Sequence, residues 1–188
     1  MNKSDVRNAY KLRRSQLSSS EIKTYSNQIF NHLKSQFELE NKTIHLFIPI
    51  SKFNEVDTKP FIKFLFELEC TVVTSITHFN PLDLSHCFIN QETKYETDKF
   101  GIPTPIDSEP ISENKIDIVI VPLLAFDENG GRVGYGKGLY DRFLSNCRDN
   151  CIKIGVSFFD PISTISDIDE NDISLDFCAT PNQFYKFQ

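Results

Sequence analysis

Residues 121–144 read Val-Pro-Leu-Leu-Ala-Phe-Asp-Glu-Asn-Gly-Gly-Arg-Val-Gly-Tyr-Gly-Lys-Gly-Leu-Tyr-Asp-Arg-Phe-Leu. Five glycines, Gly130, Gly131, Gly134, Gly136 and Gly138, fall within nine residues, out of seven in the whole chain. Glycine loses more backbone freedom on folding than any other residue. Such clustering therefore points to a backbone that must pass close to something, often a phosphate. Arg132 and Lys137 add two cations to the loop, and Asp141 adds an acid. Before the loop, Ile116 to Phe126 is almost wholly apolar and rich in β-branched residues, the pattern of a strand buried on both faces. After it, Leu139, Tyr140, Phe143, Leu144 and Cys147 recur at helical spacing. Strand, glycine loop and helix are the expected order, and unpaired N–H groups at a helix start suit an anion. A helix beginning near Gly136 would put Lys137 and Asp141 on one face.

Two nucleotide-binding templates bear on this loop. The dinucleotide pattern G-x-G-x-x-G fails, because the glycines run Gly134, Gly136, Gly138. The phosphate loop G-x-x-x-x-G-K-[ST] nearly fits from Gly131 to Lys137, but Gly138 stands where a Ser or Thr should hold magnesium. A bound metal would need another oxygen, and Asp141 is the nearest candidate. A plain solvated turn does not call for five glycines with interleaved Arg and Lys.

The 188 residues suit one domain with a substantial core. A net charge of −6 argues against general nucleic-acid binding, although a local basic pocket could still hold a small anion. Five cysteines, Cys70, Cys87, Cys147, Cys151 and Cys178, form no C-x-x-C pair. The odd count and the charged start of the chain fit free thiols in a reducing cytoplasm. Cys147 and Cys151 could be half of a zinc site, but no second ligand pair lies at usable spacing. The histidines, His32, His45, His78 and His86, are equally scattered, and all nine residues are read as structural or surface groups. No apolar stretch reaches membrane-spanning length.

Residues 3–17 are expected to form a helix with Lys3, Arg7, Lys11 and Arg14 on one face, a stripe that alone would mean a solvated surface. Ser18 to Glu21 has capping-box spacing and should start a second helix whose buried stripe is Ile22, Tyr25, Ile29, Leu33 and Phe37. Thr43 to Ile50 reads as a strand, followed by a polar turn at 51–58 and a helix over Pro60 to Glu69. Further strands are expected at Thr71 to Ile76 and Ile152 to Phe159, with an edge strand at Gln183 to Phe187. Residues 78–115, with four prolines, read as irregular, apart from short strands such as one near Cys87–Asn90. Alternating strands and helices give a single-domain three-layer α/β/α sandwich with a mostly parallel sheet. Ligands of such folds bind beyond the carboxyl ends of the strands, where Glu55 and Asp57 after one strand and the glycine loop after another could line one crevice.

With these residues in view, the chain resembles the 5-formyltetrahydrofolate cyclo-ligase family, also called 5,10-methenyltetrahydrofolate synthetases. The resemblance rests on Val-Pro-Leu-Leu-Ala-Phe-Asp followed by Gly-Arg-Val-Gly-Tyr-Gly-Lys-Gly-Leu-Tyr-Asp-Arg-Phe-Leu, and spans essentially the whole chain. The basic first helix, Asn-Glu-Val-Asp-Thr at 54–58, Phe-Gly-Ile-Pro-Thr-Pro at 100–105, and the late Asp172, Asp176 and Thr180-Pro181 fall in the family's order. Leu123-Leu124 departs towards bulk, which bears on packing more than on chemistry.

The resemblance implies a Mg-ATP-dependent conversion of 5-formyltetrahydrofolate, polyglutamylated or not, into 5,10-methenyltetrahydrofolate by a cytoplasmic monomer. It places Lys3, Arg7, Arg132, Gly134, Tyr135, Gly136, Lys137, Gly138 and Tyr140 against ATP. Lys137 and Arg132 would be the catalytic cations, and Asp141 and Asp172 the magnesium ligands. Glu55 and Ile50 would contact the folate, with Phe100 and Tyr135 lining its pterin pocket. A formamide oxygen is a poor leaving group, and phosphorylation turns it into a good one. Such transfer depends mainly on positioning and charge neutralisation, so no Ser-His-Asp or Cys-His nucleophile is required.

Blander roles exist. Asp141 could pair with Lys137, Glu55 and Asp57 could be turn formers or acids at a helix start, and Asp172 lies in an acidic stretch with Asp167, Asp169 and Glu170. Arg142 reads as structural or as a surface charge. A small-molecule kinase would leave a stable phosphorylated product, whereas the cyclo-ligase liberates phosphate. A non-catalytic nucleotide- or folate-binding module would show no turnover.

Overall fold

The apolar run ahead of the glycine loop forms the strand at the middle of the sheet. The computed structural model describes residues 1–98 and 100–187. Two helices come first, α1 (Lys3–Ser15) and α2 (Ser19–Gln36). Asn2 caps α1 by accepting the Asp5 backbone N–H at 2.9 Å. Ser18 and Glu21 close a capping box at the start of α2, which satisfies two otherwise unpaired donors. Then follow β1 (Thr43–His45), α3 (Lys59–Glu67), β2 (Thr71–Phe79) and β3 (Leu82–Ile89). Three short strands come next, β4 (Tyr95–Thr97), β5 (Pro103–Pro105) and β6 (Pro110–Ile111). The central strand is β7 (Ile118–Pro122), followed by the hairpin strands β8 (Ala125–Phe126) and β9 (Arg132–Val133). The chain finishes with α4 (Leu139–Ser145), β10 (Ile152–Val156), β11 (Phe177–Ala179) and β12 (Phe184–Lys186).

The main sheet runs β12-β11-β10-β7-β1-β2-β3-β6. Its five inner strands, β11, β10, β7, β1 and β2, are mutually parallel, while β12, β3 and β6 at the margins each pair antiparallel with the strand on their inner side. Alternation along β7 serves two layers, since successive strand side chains point to opposite faces. Ile118 and Ile120 pack with Ile29, Phe30 and Leu33 of α2 and Phe61 and Leu65 of α3. Val119 and Val121 pack with Phe143 and Leu144 of α4 on the other face. The Phe30 and Phe61 rings stack at 4.5 Å, and truncating Phe61 to Ala would cost about 3–5 kcal/mol. A third cluster docks α1 beside the β8–β9 hairpin, through Val6 and Tyr10 against Leu124, Ala125 and Val133.

The strand expected over Ile116 to Phe126 is split into β7 and β8, and that expected over Ile152 to Phe159 ends at Val156. Two further elements differ from the sequence reading. The strand expected over Thr43 to Ile50 is paired in the sheet ladder only as far as His45. Beyond it the chain leaves the sheet, and residues 46–50 carry it into the site. The start of the segment read as irregular, 78–115, is a regular hairpin, with β2 and β3 paired from Val72↔Ile89 to Phe79↔Leu82. Its outer half carries Thr77, His78, Asp83 and Ser85 and turns at Asn80-Pro81, so no apolar run announces it.

Candidate functional site

The glycine loop leaves β7 through the β8–β9 hairpin, and a buried acid sets its shape. The Asp127 carboxylate, 2% exposed, accepts backbone N–H groups of Gly131 at 2.9 Å, Asn129 at 3.0 Å and Ile165 at 3.0 Å. Further on, Arg7 of α1 lies flat against the loop, and its Nε donates to the Gly134 carbonyl at 3.0 Å. A Cβ on Gly136 would sit 3.0 Å from the Arg7 guanidinium carbon, and φ there is +85°. Only glycine meets both constraints cheaply. Gly138, at φ +63°, is the residue before α4, so the helix starts at Leu139 rather than near Gly136. Lys137 therefore stays outside the helix and exposed, and the shared helix face expected for Lys137 and Asp141 is not formed. Asp141 pairs with Arg132 instead, at 2.6 Å.

That pair belongs to a cluster drawn from four segments. Asp141 also accepts the Ile173 backbone N–H at 3.2 Å, which brings it beside Asp172. Asp172 forms an ion pair with Lys3 at the start of α1, and Asp169 lies 3.6 Å from the same ammonium. Partial burial lowers the Lys3 pKa, but the hydrogen bond and charge of Asp172 outweigh it, so the net direction is up. Burial pulls the Arg132 guanidinium down while Asp141 first, and Asp172 after it, oppose the change. Lys3, Arg132, Asp141 and Asp172 thus meet in one cluster. Among the described residues no group of three or more His, Cys, Asp or Glu is arranged to hold a metal. Two carboxylates fit the way magnesium binds beside phosphates, through one or two acids with the remaining oxygens from substrate and water.

The other side of the crevice begins where β1 leaves the sheet. A single 3-10 turn, Ser51–Phe53, ends at Asn54 in the left-handed region, and Glu55 then turns inward. Glu55 Oε2 accepts the Ile50 backbone N–H at 2.8 Å, which joins the two residues expected at the folate. Burial raises the Glu55 pKa, against the Ile50 hydrogen bond and the charge of Arg14. Arg14, 5% exposed, donates to the Leu123 carbonyl at 3.2 Å and to the Tyr135 hydroxyl. Burial pushes the Tyr135 phenol up to about 12, with Arg14 pulling down and Glu55 adding to the rise. Tyr140 is driven well up by burial and by Glu55, and Arg132 eases it.

Aromatic rings continue this wall. Phe53 lies 5.2 Å from Tyr135 between ring centres, and Phe100 lies 4.6 Å from Phe79. Lys52 joins the two pairs, with its ammonium over the Phe53 ring and donating to the Phe100 carbonyl. Arg14, Phe53, Phe79 and Asp127 escaped the sequence reading. Arg14 was one cation in a stripe, and its burial depends on Tyr135 folding over it.

A buried network was missed for a similar reason. His45 Nε2 meets Ser75 Oγ at 2.7 Å, and Ser75 Oγ meets His86 Nδ1 at 3.2 Å. The two imidazoles carry the Phe143 ring of α4 at 4.7 and 3.9 Å. Burial depresses both, His45 further through the charge of His86, while His86 falls to about 4 against Glu113 and Asp83. Arg142, read as structural or a surface charge, ties α4 to the β2–β3 hairpin through the Leu82 carbonyl at 3.0 Å and Asp83 at 3.8 Å.

The model of the 5-formyltetrahydrofolate cyclo-ligase family matches residues 1–181. A 5-formyltetrahydrofolate cyclo-ligase of Mycoplasma genitalium is 31% identical over 162 residues, covering 84% of this chain and 86% of the relative. That of Escherichia coli K12 is 29% identical over 139 residues, covering 71% and 75%. Among solved structures, a 5,10-methenyltetrahydrofolate synthetase from Mycoplasma pneumoniae superimposes with a TM-score of 0.73 at 26% identity, covering 96% of this chain and 99% of the other. The Aquifex aeolicus 5,10-methenyltetrahydrofolate synthetase gives 0.75 at 26% identity, covering 100% and 94%.

Proposed function

This chain belongs to the 5-formyltetrahydrofolate cyclo-ligase family, and from that premise we propose how its crevice divides the reaction between two halves. The activity is the ATP-dependent conversion of 5-formyltetrahydrofolate into 5,10-methenyltetrahydrofolate. The glycine-loop half takes the nucleotide. Arg7, Lys3 and the amides around Gly134, Gly136 and Gly138 lie against the triphosphate. Arg132 and exposed Lys137 offset the charge that builds on the transferred phosphoryl group, and Tyr135 and Tyr140 flank it. Asp141 and Asp172 hold magnesium, which when bound neutralises phosphate charge and aligns the oxygens.

The other half takes the folate. Glu55, braced by the Ile50 backbone N–H, accepts hydrogen bonds from N–H donors of the pterin, and Tyr135 and Phe100 flank the ring. The formyl oxygen attacks the γ-phosphorus and ADP leaves. N10 then attacks the formyl carbon, phosphate leaves with the original oxygen, and N10 loses its proton. The single observation that carries this reading is the approach of the two halves: the Phe53 ring, two residues before Glu55 on the β1 side, lies 5.2 Å from the Tyr135 ring of the glycine loop.

The chain acts as one domain over residues 1–188, as a monomer, on 5-formyltetrahydrofolate with or without a polyglutamate tail. Among the described residues no helix is long and apolar enough to cross a membrane. The five free thiols support a reducing cytoplasmic setting, and the net charge of −6 gives nucleic acid no general attraction. Purified protein with Mg-ATP and 5-formyltetrahydrofolate should develop the methenyl absorbance and release phosphate in equal amounts. A stable phosphorylated product without phosphate release would instead indicate a small-molecule kinase.

A further inference from the structure

The basic stripe of α1 runs along the crevice rather than into solvent. Lys3 meets Asp172, and Arg7 meets the Gly134 carbonyl. Arg14, two helical turns beyond Arg7, stands about 10 Å further along the axis. Lys11 and Arg14 both bring their charge over the Tyr135 ring, at 5.3 and 5.4 Å from its centre. Lys3, Arg7 and Lys11 are at least partly exposed, whereas Arg14 is buried.

The Arg14 guanidinium donates to two neutral oxygens, the Leu123 carbonyl just past β7 at 3.2 Å and the Tyr135 hydroxyl. Its own carbonyl, near the end of α1, accepts the Asn54 side-chain amide at 3.1 Å, and the same amide reaches the Leu17 carbonyl at 3.3 Å. Asn54 is the left-handed residue between the 3-10 turn and Glu55. The Phe53 ring, one residue earlier, lies 5.2 Å from that of Tyr135. Arg14 thus holds the glycine-loop wall with its side chain and the β1 wall with its backbone.

Among the described residues no carboxylate forms an ion pair with Arg14. A buried cation matched only by neutral oxygens is a costly way to fill a core, since an apolar side chain of similar volume packs without that desolvation. What the guanidinium adds is direction, because its planar fork fixes two acceptors at once. One acceptor is main chain at the end of the central strand. The other is the tip of a side chain between Gly134 and Gly136, where a permissive backbone leaves the ring to be held from outside.

We propose that Arg14 is a positioning residue for the folate: its grip on the Tyr135 hydroxyl, braced by the Leu123 carbonyl, sets the ring that flanks the pterin. This rests on the placement of the folate between Glu55 and Tyr135 given above. Arg14 touches neither substrate and acts through Tyr135, while Asn54 keeps that ring in register with the turn that carries Glu55.

The test measures initial rates of the purified full chain across 5-formyltetrahydrofolate and ATP concentrations. Tyr135→Phe keeps the ring and deletes the acceptor, and Arg14→Lys keeps the charge and loses the fork. Each should raise the KM for folate roughly tenfold, the usual loss for one hydrogen bond to a charged group, with much smaller changes in kcat and in the KM for ATP. Both variants break the same bond, so the double variant should be no worse than the worse single one, whereas independent effects would multiply to about a hundredfold. Multiplying effects would overturn the proposal. So would a lowered melting temperature with both KM values unchanged, the mark of a purely structural arginine. If Arg14→Lys does not fold, Tyr135→Phe still decides, and an unchanged folate KM there overturns the proposal. Tyr135→Ala separates this failure from that of the underlying placement. An unchanged folate KM in Tyr135→Ala would remove Tyr135 from the folate site altogether. A raised value there, beside unchanged values in Tyr135→Phe and Arg14→Lys, would keep the placement and overturn the grip alone.

Discussion

The two walls of the crevice carry acids of opposite character. On the glycine-loop side Asp141 and Asp172 are each ion-paired, with Arg132 and Lys3, and part-exposed. On the β1 side Glu55 is 8% exposed, its carboxylate held by a backbone N–H, and burial raises its pKa. An acid matched by cations keeps its charge cheaply and suits a site that exchanges metal and phosphate. A carboxylate among aromatic rings is held for a specific donor, because a polar group left unpaired there is costly. The same residue type thus serves charge balance on one wall and recognition on the other.

The sharpest way to break this comparison is to remove the exposed cation of the charged wall. Lys137→Ala should lower kcat by roughly a hundredfold to a thousandfold with the fold intact, the loss typical when a group that stabilises transition-state charge is deleted. Near-normal turnover in a folded variant would move Lys137 to the solvated surface.

Acid should act on the packing beneath that wall. His86 has a folded pKa of about 4, below the ordinary value of about 6.5. Between those values the unfolded chain binds the extra proton, so stability is full above about pH 6.5 and falls as the pH drops towards 4. The contribution is about 2–3 kcal/mol over that window, at roughly 1.4 kcal/mol per unit of pKa difference. Thermal unfolding of the unmutated chain and of His86→Asn across this range should give a flatter pH slope for the variant, and equal slopes would remove His86 from the account.

A smaller effect sharpens the role of Asp141. Asp141→Asn keeps an oxygen for Arg132 and the Ile173 N–H but loses the charge. The magnesium concentration for half-maximal rate at saturating ATP should rise about tenfold, equivalent to about 1.4 kcal/mol, with little change in the folate requirement. An unchanged magnesium curve would leave Asp141 only its ion pair.

The charged wall was legible because its parts are contiguous. Residues 130–141 hold the glycines, Arg132, Lys137 and Asp141 in one stretch, and the β-branched run before it announces the central strand. The capping box at Ser18 was a local pattern too. What stayed hidden is assembled across the chain. Arg14 is buried by Leu123 and Tyr135, more than a hundred residues away. The His45–Ser75–His86 network draws on three strands, none of which marks a histidine as buried. The β2–β3 hairpin lacks an apolar run because its outer half faces solvent, so its regularity comes from backbone pairing alone. The start of α4 was misjudged because Gly138, in the left-handed region, delays the helix from near Gly136 to Leu139 and frees Lys137.

The division of the crevice is tested most directly at Glu55. Glu55→Gln keeps the size of the side chain but loses the charge and one acceptor, which should cost about 1–3 kcal/mol in folate affinity, or roughly tenfold to a hundredfold. Separate titrations of 5-formyltetrahydrofolate and ATP against the purified variant should show the folate requirement raised by that factor and ATP affinity nearly unchanged. Weakened ATP binding, or no change in either titration, would contradict the assignment of the buried carboxylate to the folate.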